Sequence, residues 1–293
     1  MAASHGTEGR RVALWVLLAN IFLTLGKGLA GYLFYSQALL ADAVHSLGDA
    51  VASAGVLYGM EVARRPADRV HRYGHAKAEP LAGLAMGSFL IVAGGVVAVE
   101  ALVTLWRGEV SATPEWPAFW VAAAALGLKE VLYRWNVAVA RRLHSPALMA
   151  NAADHRSDEW TSLAAMAGVV GAQLGWGWAD PFFALVVGGV VAHYGFGVLL
   201  ENGSDLLDRQ ADEARQAEIR AKALEVAGVK GIDSLRTRRS GPFVHVDMEI
   251  RVGRHLSLVE AHRLAHDVME KVGSLDFVQD VVVHVNPERE EEA

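Results

Sequence analysis

Ala38-Leu39-Leu40-Ala41-Asp42-Ala43-Val44-His45-Ser46-Leu47-Gly48-Asp49 opens an apolar run that continues to residue 63. A histidine and two aspartates are set into a segment otherwise suited to hydrocarbon, where crossing a core ~30 Å thick takes some 20 apolar residues. Five further runs reach that length: 12–35, 80–106, 117–141, 146–175 and 180–204. Together they predict an α-helical membrane protein with six transmembrane helices. The chain is 53% hydrophobic and 20% charged, which agrees. The first run is longer than a signal-peptide core and has no small-residue cleavage site after it, so it is expected to be retained.

Basic residues cluster in three places: Arg10 and Arg11; Arg64, Arg65, Arg69, Arg72 and Lys77; and Arg141 and Arg142. The positive-inside rule then puts both termini in the cytoplasm. Gln37, residues 107–117 and residues 175–180 fall outside, with Trp106, Trp116, Trp176 and Trp178 at the interface. The net charge of −6, with no basic stripe interleaved with aromatics, argues against nucleic acid as a partner. The absence of cysteine excludes disulfides and thiolate metal sites, so any metal must sit on nitrogen and oxygen.

After Asp208 the pattern becomes charged and alternating. It predicts a helix at 210–227, strands at 231–239 and 243–252, a helix at 257–272 and a strand at 277–285. The expected division is a tail at 1–11, a membrane domain at 12–208 and a small C-terminal α+β domain at 209–293. Its order, αββαβ, is ferredoxin-like.

His45 and Asp49 are four residues apart and share a helix face. The fifth run repeats that spacing with Asp154 and Asp158. Entering from opposite surfaces, each pair lies 7 to 11 residues in, ~10–17 Å at the helical rise, so both reach the bilayer centre. Two helices then offer four donors, enough for a tetrahedral divalent cation. Without a cation, each carboxylate there would cost at least ~2.5 kcal/mol. A lone polar residue in a span usually hydrogen-bonds to a neighbouring helix; four at matched spacing and depth favour a metal. Asp42, nearer the outside, reads either as an ion guide or as a solvated vestibule residue. His155 and Arg156 are rotated off the Asp158 face and are expected to pack or act as counter-ions. Lys27, deep in the first run, must snorkel to the interface or find a carboxylate, and a structural ion pair is expected. Glycines at 83, 87, 94, 95, 188, 189, 195 and 197 permit close helix approach.

The stretch from Ala41 to Asp49, with Pro66-Ala67-Asp68-Arg69-Val70-His71-Arg72-Tyr73-Gly74-His75-Ala76-Lys77-Ala78-Glu79, resembles the cation diffusion facilitators. Further matches are Lys129 to Tyr133, Asn151 to Asp158, Trp178-Ala179-Asp180-Pro181 and Leu206-Leu207-Asp208-Arg209, so the resemblance covers nearly the whole chain. It implies a homodimeric, proton-coupled exporter of a divalent cation, Zn2+ first among them, without a prosthetic group, and a metallochaperone-like cytoplasmic domain. A bacterial inner or plasma membrane is the expected location. By resemblance His45, Asp49, Asp154 and Asp158 form the transport site. Zinc-transporting members usually carry histidine where Asp154 stands, so Mn2+, Fe2+ or Co2+ is admitted more readily than two histidines would allow. Asp68, His71 and His75 match a secondary metal site, with a solvated loop as the equal alternative. Asp233, Asp247, His262, His284 and Asn286 match a cytoplasmic metal pair, weakened here by the amide. Lys77 and Asp208 match an ion pair at the dimer junction. Two rival functions remain: a membrane metal sensor or scaffold, and an intramembrane metallohydrolase, which lacks a His-Glu-x-x-His helix.

Overall fold

The computed structural model describes residues 2–63, 65–108, 113–143, 146–241 and 243–288. Within these, the side chains of residues 2–17, 52, 53, 55–57, 59, 60, 136 and 139–158 lie outside the description. Arg10, Arg11, Arg141, Arg142, Asp154, His155, Arg156 and Asp158 are among them, and Arg64 is outside altogether.

Six long helices come first: α1 (Ala2–Leu33), α2 (Gln37–Ala63), α3 (Ala78–Arg107), α4 (Trp116–Leu143), α5 (Pro146–Gln173) and α6 (Ala179–Leu206). The shortest, α2, has 27 residues, about 40 Å at the helical rise. Their ends follow local chemistry. Gly175 adopts φ +94° after α5, and Trp176 N–H donates back to Gly171 O, the left-handed stop that glycine allows. Two residues past the end of α6, Asp208 adopts φ +58°, a conformation costing ~1–2 kcal/mol for an L-residue. Arg209 N–H bonds back to Ser204 O across it.

Residues 1–56 and 85–199 form one compact unit, residues 57–84 and 200–293 a second. In the first, α1, α2, α4 and α5 meet around Ala30, Leu39, Ala118, Ala122 and Val169, all buried. α3 and α6 close on glycine. A Cβ on Gly94 would lie 2.7 Å from Gly188 O and from Ala192 N, and one on Gly195 would lie 2.9 Å from Gly87 O. Gly95, Gly189 and Gly197 face open space. Only part of the glycine-rich pattern therefore serves helix contact.

The second unit carries α7 (Glu213–Leu224), β1 (Val229–Ser240), β2 (Phe243–Val252), α8 (Leu258–Gly273) and β3 (Val278–Pro287), in the expected αββαβ order. The sheet runs β1-β2-β3, with β1 antiparallel and β3 parallel to β2. Ser257 and Glu260 make a reciprocal capping box at the start of α8. Alternation along β2 sends Val244, Val246, Met248 and Ile250 into a core with Ile219, Val268 and Val272. The opposite face is not all solvent: His245 is 6% exposed and meets the Tyr73 ring edge-on at 6.1 Å, with Arg238 over Tyr73 at 5.2 Å.

A side chain at Gly94 cannot be accommodated without separating α3 from α6. Gly94→Val is expected to lower the melting temperature of the detergent-solubilised protein sharply, by overpacking worth at least ~1–3 kcal/mol, while Gly95→Val is expected to change it little. Burial first, then the Arg238 guanidinium, holds the His245 imidazole below its ordinary 6.5. The folded state thus favours neutral His245, so its stability is full above 6.5 and declines as pH falls below it. Melting curves across that range should show the decline, and His245→Gln should flatten it.

Candidate metal site

The start of α2 is held from another helix. Asp180, in the first turn of α6, accepts from Gln37 N at 2.6 Å, Ala38 N at 3.4 Å and Ser36 Oγ at 2.7 Å. Ser36 Oγ in turn accepts from Leu39 N at 3.1 Å. The first amides of α2, which have no partner within the helix, are satisfied by this borrowed cap.

One turn further in lies a buried charge pair. Lys27 Nζ sits 2.7 Å from Asp42 Oδ2, with both side chains 0% exposed. Lys27 also donates to Ser46 Oγ at 3.3 Å and Ser162 Oγ at 3.0 Å. Thr161 and Ser162 hydroxyls each donate to Asp42, both at 2.9 Å. The expectation for Lys27 therefore holds, and Asp42 is not a solvated residue, since it is fully buried against Lys27. Its place on the His45 face was legible in sequence, but the reach of Lys27 across from α1 was not.

Two turns inward from Asp42 is Asp49, with His45 between them on the same face. Both are partly buried. Asp49 Oδ2 lies 3.9 Å from Nζ of Lys129 on α4, a lysine 1% exposed. Sequence reasoning gave Lys129 no role, although a lone lysine in an apolar run signals a partner carboxylate, as it did for Lys27. Asp154 and Asp158 belong to α5, but their side chains lie outside the described residues. The bonds from Thr161 and Ser162 to Asp42 nonetheless fix how α2 and α5 run past each other. A cavity of about 350 Å³ lies on the opposite face of α2, lined by Leu40, Ala43, Val44 and Leu47 with Thr24 and Glu100. It is apolar in character and separate from the charged face.

In the loop before α3, Asp68, His71 and His75 converge, with one ligand atom from each within 4.8 Å of the others. His71 Nδ1 is 3.4 Å and His75 Nε2 3.5 Å from the Asp68 carboxylate. The His71 and Val70 backbone amides donate to Asp68 and hold its carboxyl below the usual range. Among the described residues this is the only grouping of three histidine or carboxylate ligands.

The cytoplasmic residues are tied up differently. Asp233 accepts from Arg251 at 2.9 Å and from the Asn286 amide at 3.2 Å, and Asn286 also donates to Glu249 at 3.1 Å. Asn286 is thus a donor in a salt-bridged network. His262 packs against the His266 ring at 4.5 Å. Asp247 lies opposite Val282 on β3, while His284 lies opposite Glu249. Lys77 and Asp208 do pair, at 2.9 Å, each about half exposed. Lys77 holds the Asp208 carboxyl below its ordinary value.

Two family profiles match the chain: the cation efflux transmembrane domain over residues 13–207, and the cation efflux protein cytoplasmic domain over residues 211–288. Manganese efflux system protein MneP of Bacillus subtilis is 30% identical, covering 99% of this chain and 100% of that protein. Metal tolerance protein 2 of Oryza sativa is 34% identical, covering 96% of this chain and 79% of the relative. Magnetosome protein MamB of Magnetospira is 31% identical, with 95% of each covered.

Removing one partner of the buried pair would leave the other charge stranded. Asp42→Ala is expected to destabilise the protein by ~3–5 kcal/mol in detergent melting experiments. Lys27→Met combined with Asp42→Leu should recover much of that loss.

Proposed function

The chain belongs to the cation efflux family of membrane metal transporters, the cation diffusion facilitators, and we propose that it exports a divalent cation through a site made by His45, Asp49, Asp154 and Asp158. Family members are transporters rather than enzymes, which removes the hydrolase alternative.

The observation that carries the proposal is the α2–α5 register. Thr161 donates to Asp42, and the helices run antiparallel, so each step inward on α2 is a step back along α5. Three residues inward, His45 falls opposite position 158; four more bring Asp49 opposite position 154. The two four-residue spacings coincide in this register, which supports a single four-ligand site. The charges agree as well. Three carboxylates and the Lys129 ammonium beside Asp49 sum to −2 when ionised, a charge that one divalent cation cancels.

Protons can cancel the same charge, which is the physical basis of exchange. Metal binds once its ligands are deprotonated, and protonation releases it. The reading is alternating access: metal enters from the cytoplasm through an inward-open site and leaves outside as protons rebind. It includes six membrane-spanning helices, cytoplasmic termini in a bacterial plasma membrane, boundaries at residues 12 and 208, and homodimerisation through residues 209–293. Lys77 and Asp208 brace the junction. The cluster of Asp68, His71 and His75 is an accessory metal site. The residues Asp233, Asp247, His262, His284 and Asn286 bind metal weakly at most, because Asn286 and Arg251 already occupy Asp233.

Among candidate ions, Zn2+ suits the imidazole, while three carboxylates suit harder ions. The oxygen-rich set and the manganese-efflux relative together favour Mn2+, with Zn2+, Fe2+ and Co2+ as competitors.

Purified protein in liposomes should carry Mn2+ with opposed proton movement, read by a metal-sensitive dye and a pH-sensitive dye in the same vesicles. Asp49→Ala should abolish both signals. Metal flux indifferent to an imposed pH gradient would sink the exchange mechanism, and competition among the four ions ranks them directly.

A further inference from the structure

We propose that the side-chain carbonyl of Asn20 supplies a neutral oxygen to the transported cation and biases the site toward Mn2+ over Zn2+. The inference rests on the transport site proposed above and adds a helix to it, since Asn20 lies on α1.

Asn20 is 2% exposed, and its Oδ1 has no hydrogen-bond partner among the described residues. Thr24 donates to its main-chain carbonyl at 2.8 Å and so does not reach the side-chain oxygen. Buried side-chain oxygens are nearly always satisfied, so an orphan carbonyl calls for a ligand. It shares one stripe of α1 with the other buried residues Leu23, Lys27 and Ala30, and that stripe faces α2, α4 and α5.

Two independent registers set its depth. Gly28 faces the Ala43 Cβ and Gly31, one turn on, faces Leu40, so α1 and α2 run antiparallel, with Lys27 against Asp42. Seven residues inward from Lys27 is Asn20, and seven inward from Asp42 is Asp49. Seven residues return each helix to nearly the same face, with a drift of ~20°. Against α4, Glu115 N–H donates to Phe34 O at 3.0 Å. Equal steps inward from that bond reach Asn20 on α1 and Lys129 on α4. Both routes bring Asn20 to the level of the Asp49–Lys129 pair.

The chemistry follows from the donor type. A carbonyl oxygen adds coordination without adding charge, so the balance of −2 against one divalent cation is kept. Carbonyl and carboxylate oxygens suit Mn2+, whereas Zn2+ is satisfied by four ligands and favours imidazole. A fifth, neutral oxygen therefore benefits Mn2+ more.

The experiment uses the full chain in liposomes with Mn2+ and Zn2+ competing for transport. Asn20→Leu, similar in bulk but unable to ligate, is expected to lower the Mn2+/Zn2+ transport ratio about tenfold, by analogy with the loss of groups that support a metal site, while Zn2+ flux persists. Asn20→Asp, which keeps an oxygen but adds a charge, should hold the Mn2+/Zn2+ ratio near that of the unmodified protein while slowing turnover of both metals. An unchanged ratio in Asn20→Leu, or equal loss of both metals, would overturn the assignment. If Asn20→Leu fails to fold, Asn20→Ser, whose hydroxyl is too short to reach the ion, is judged by the same ratio. Asp49→Ala in parallel vesicles separates the two claims: full flux in that variant would defeat the transport site itself, whatever Asn20→Leu does.

Discussion

The charge pair between Lys27 and Asp42 is the constraint from which the arrangement of the first unit follows. Neither group touches solvent, and burying two ions is costly unless every remaining donor and acceptor is met. Here the carboxylate receives Lys27, Thr161 and Ser162, while the ammonium reaches Ser46 and Ser162. Those partners come from α1, α2 and α5. Sliding any one of the three by a residue would break several bonds at once in an apolar setting, so the pair fixes register as well as proximity. The depths of Asn20, His45 and Asp49 are consequences of that lock.

The contact between α3 and α6 is of another kind. Glycines at 87, 94, 188 and 195 bring backbone against backbone. Dispersion between smooth surfaces tolerates small shifts better than a network in which each donor has one acceptor. The first unit therefore joins a polar-locked group, α1, α2 and α5, to a glycine-packed pair. Asp180 links them at one end, since an α6 carboxylate supplies the cap of α2. Motion that alters access to the α2 face must either carry Asp180 along or release two amides of α2.

Element order and helix limits were legible in the sequence because apolar length and strand alternation are local signals. The six long runs became α1 to α6 with ends shifted by a few residues, apart from α1, which begins at Ala2 rather than near residue 12. The αββαβ order also followed from periodicity alone. What stayed hidden were relations across helices. Asp42 shares a face with His45 on any helical wheel, yet its burial depends on a lysine 15 positions earlier in sequence. Asp180 was visible only as part of a matched motif, and its capping role required knowing that α6 begins beside α2. Lys129 likewise lies within a matched motif, and its partner Asp49 stands on a different helix. The glycines show the limit most simply: Gly94 and Gly95 are chemically identical neighbours, and only the rotation of α3 decides which one meets α6.

Selectivity in such a site depends on how donor hardness and charge combine. In the proposed site, Asp154 in place of a histidine would add a negative charge as well as an oxygen, and an uncompensated third carboxylate would bind cations tightly and release them slowly. Lys129 beside Asp49 offsets that excess. The site can then be oxygen-rich without holding more net charge than a divalent ion cancels. An ammonium at that position also competes with the metal for Asp49, so binding a cation must displace or share the interaction. In the proposed site the lysine would thus weaken the ground-state complex, as a carrier requires of a site that must fill from one side and still empty on the other.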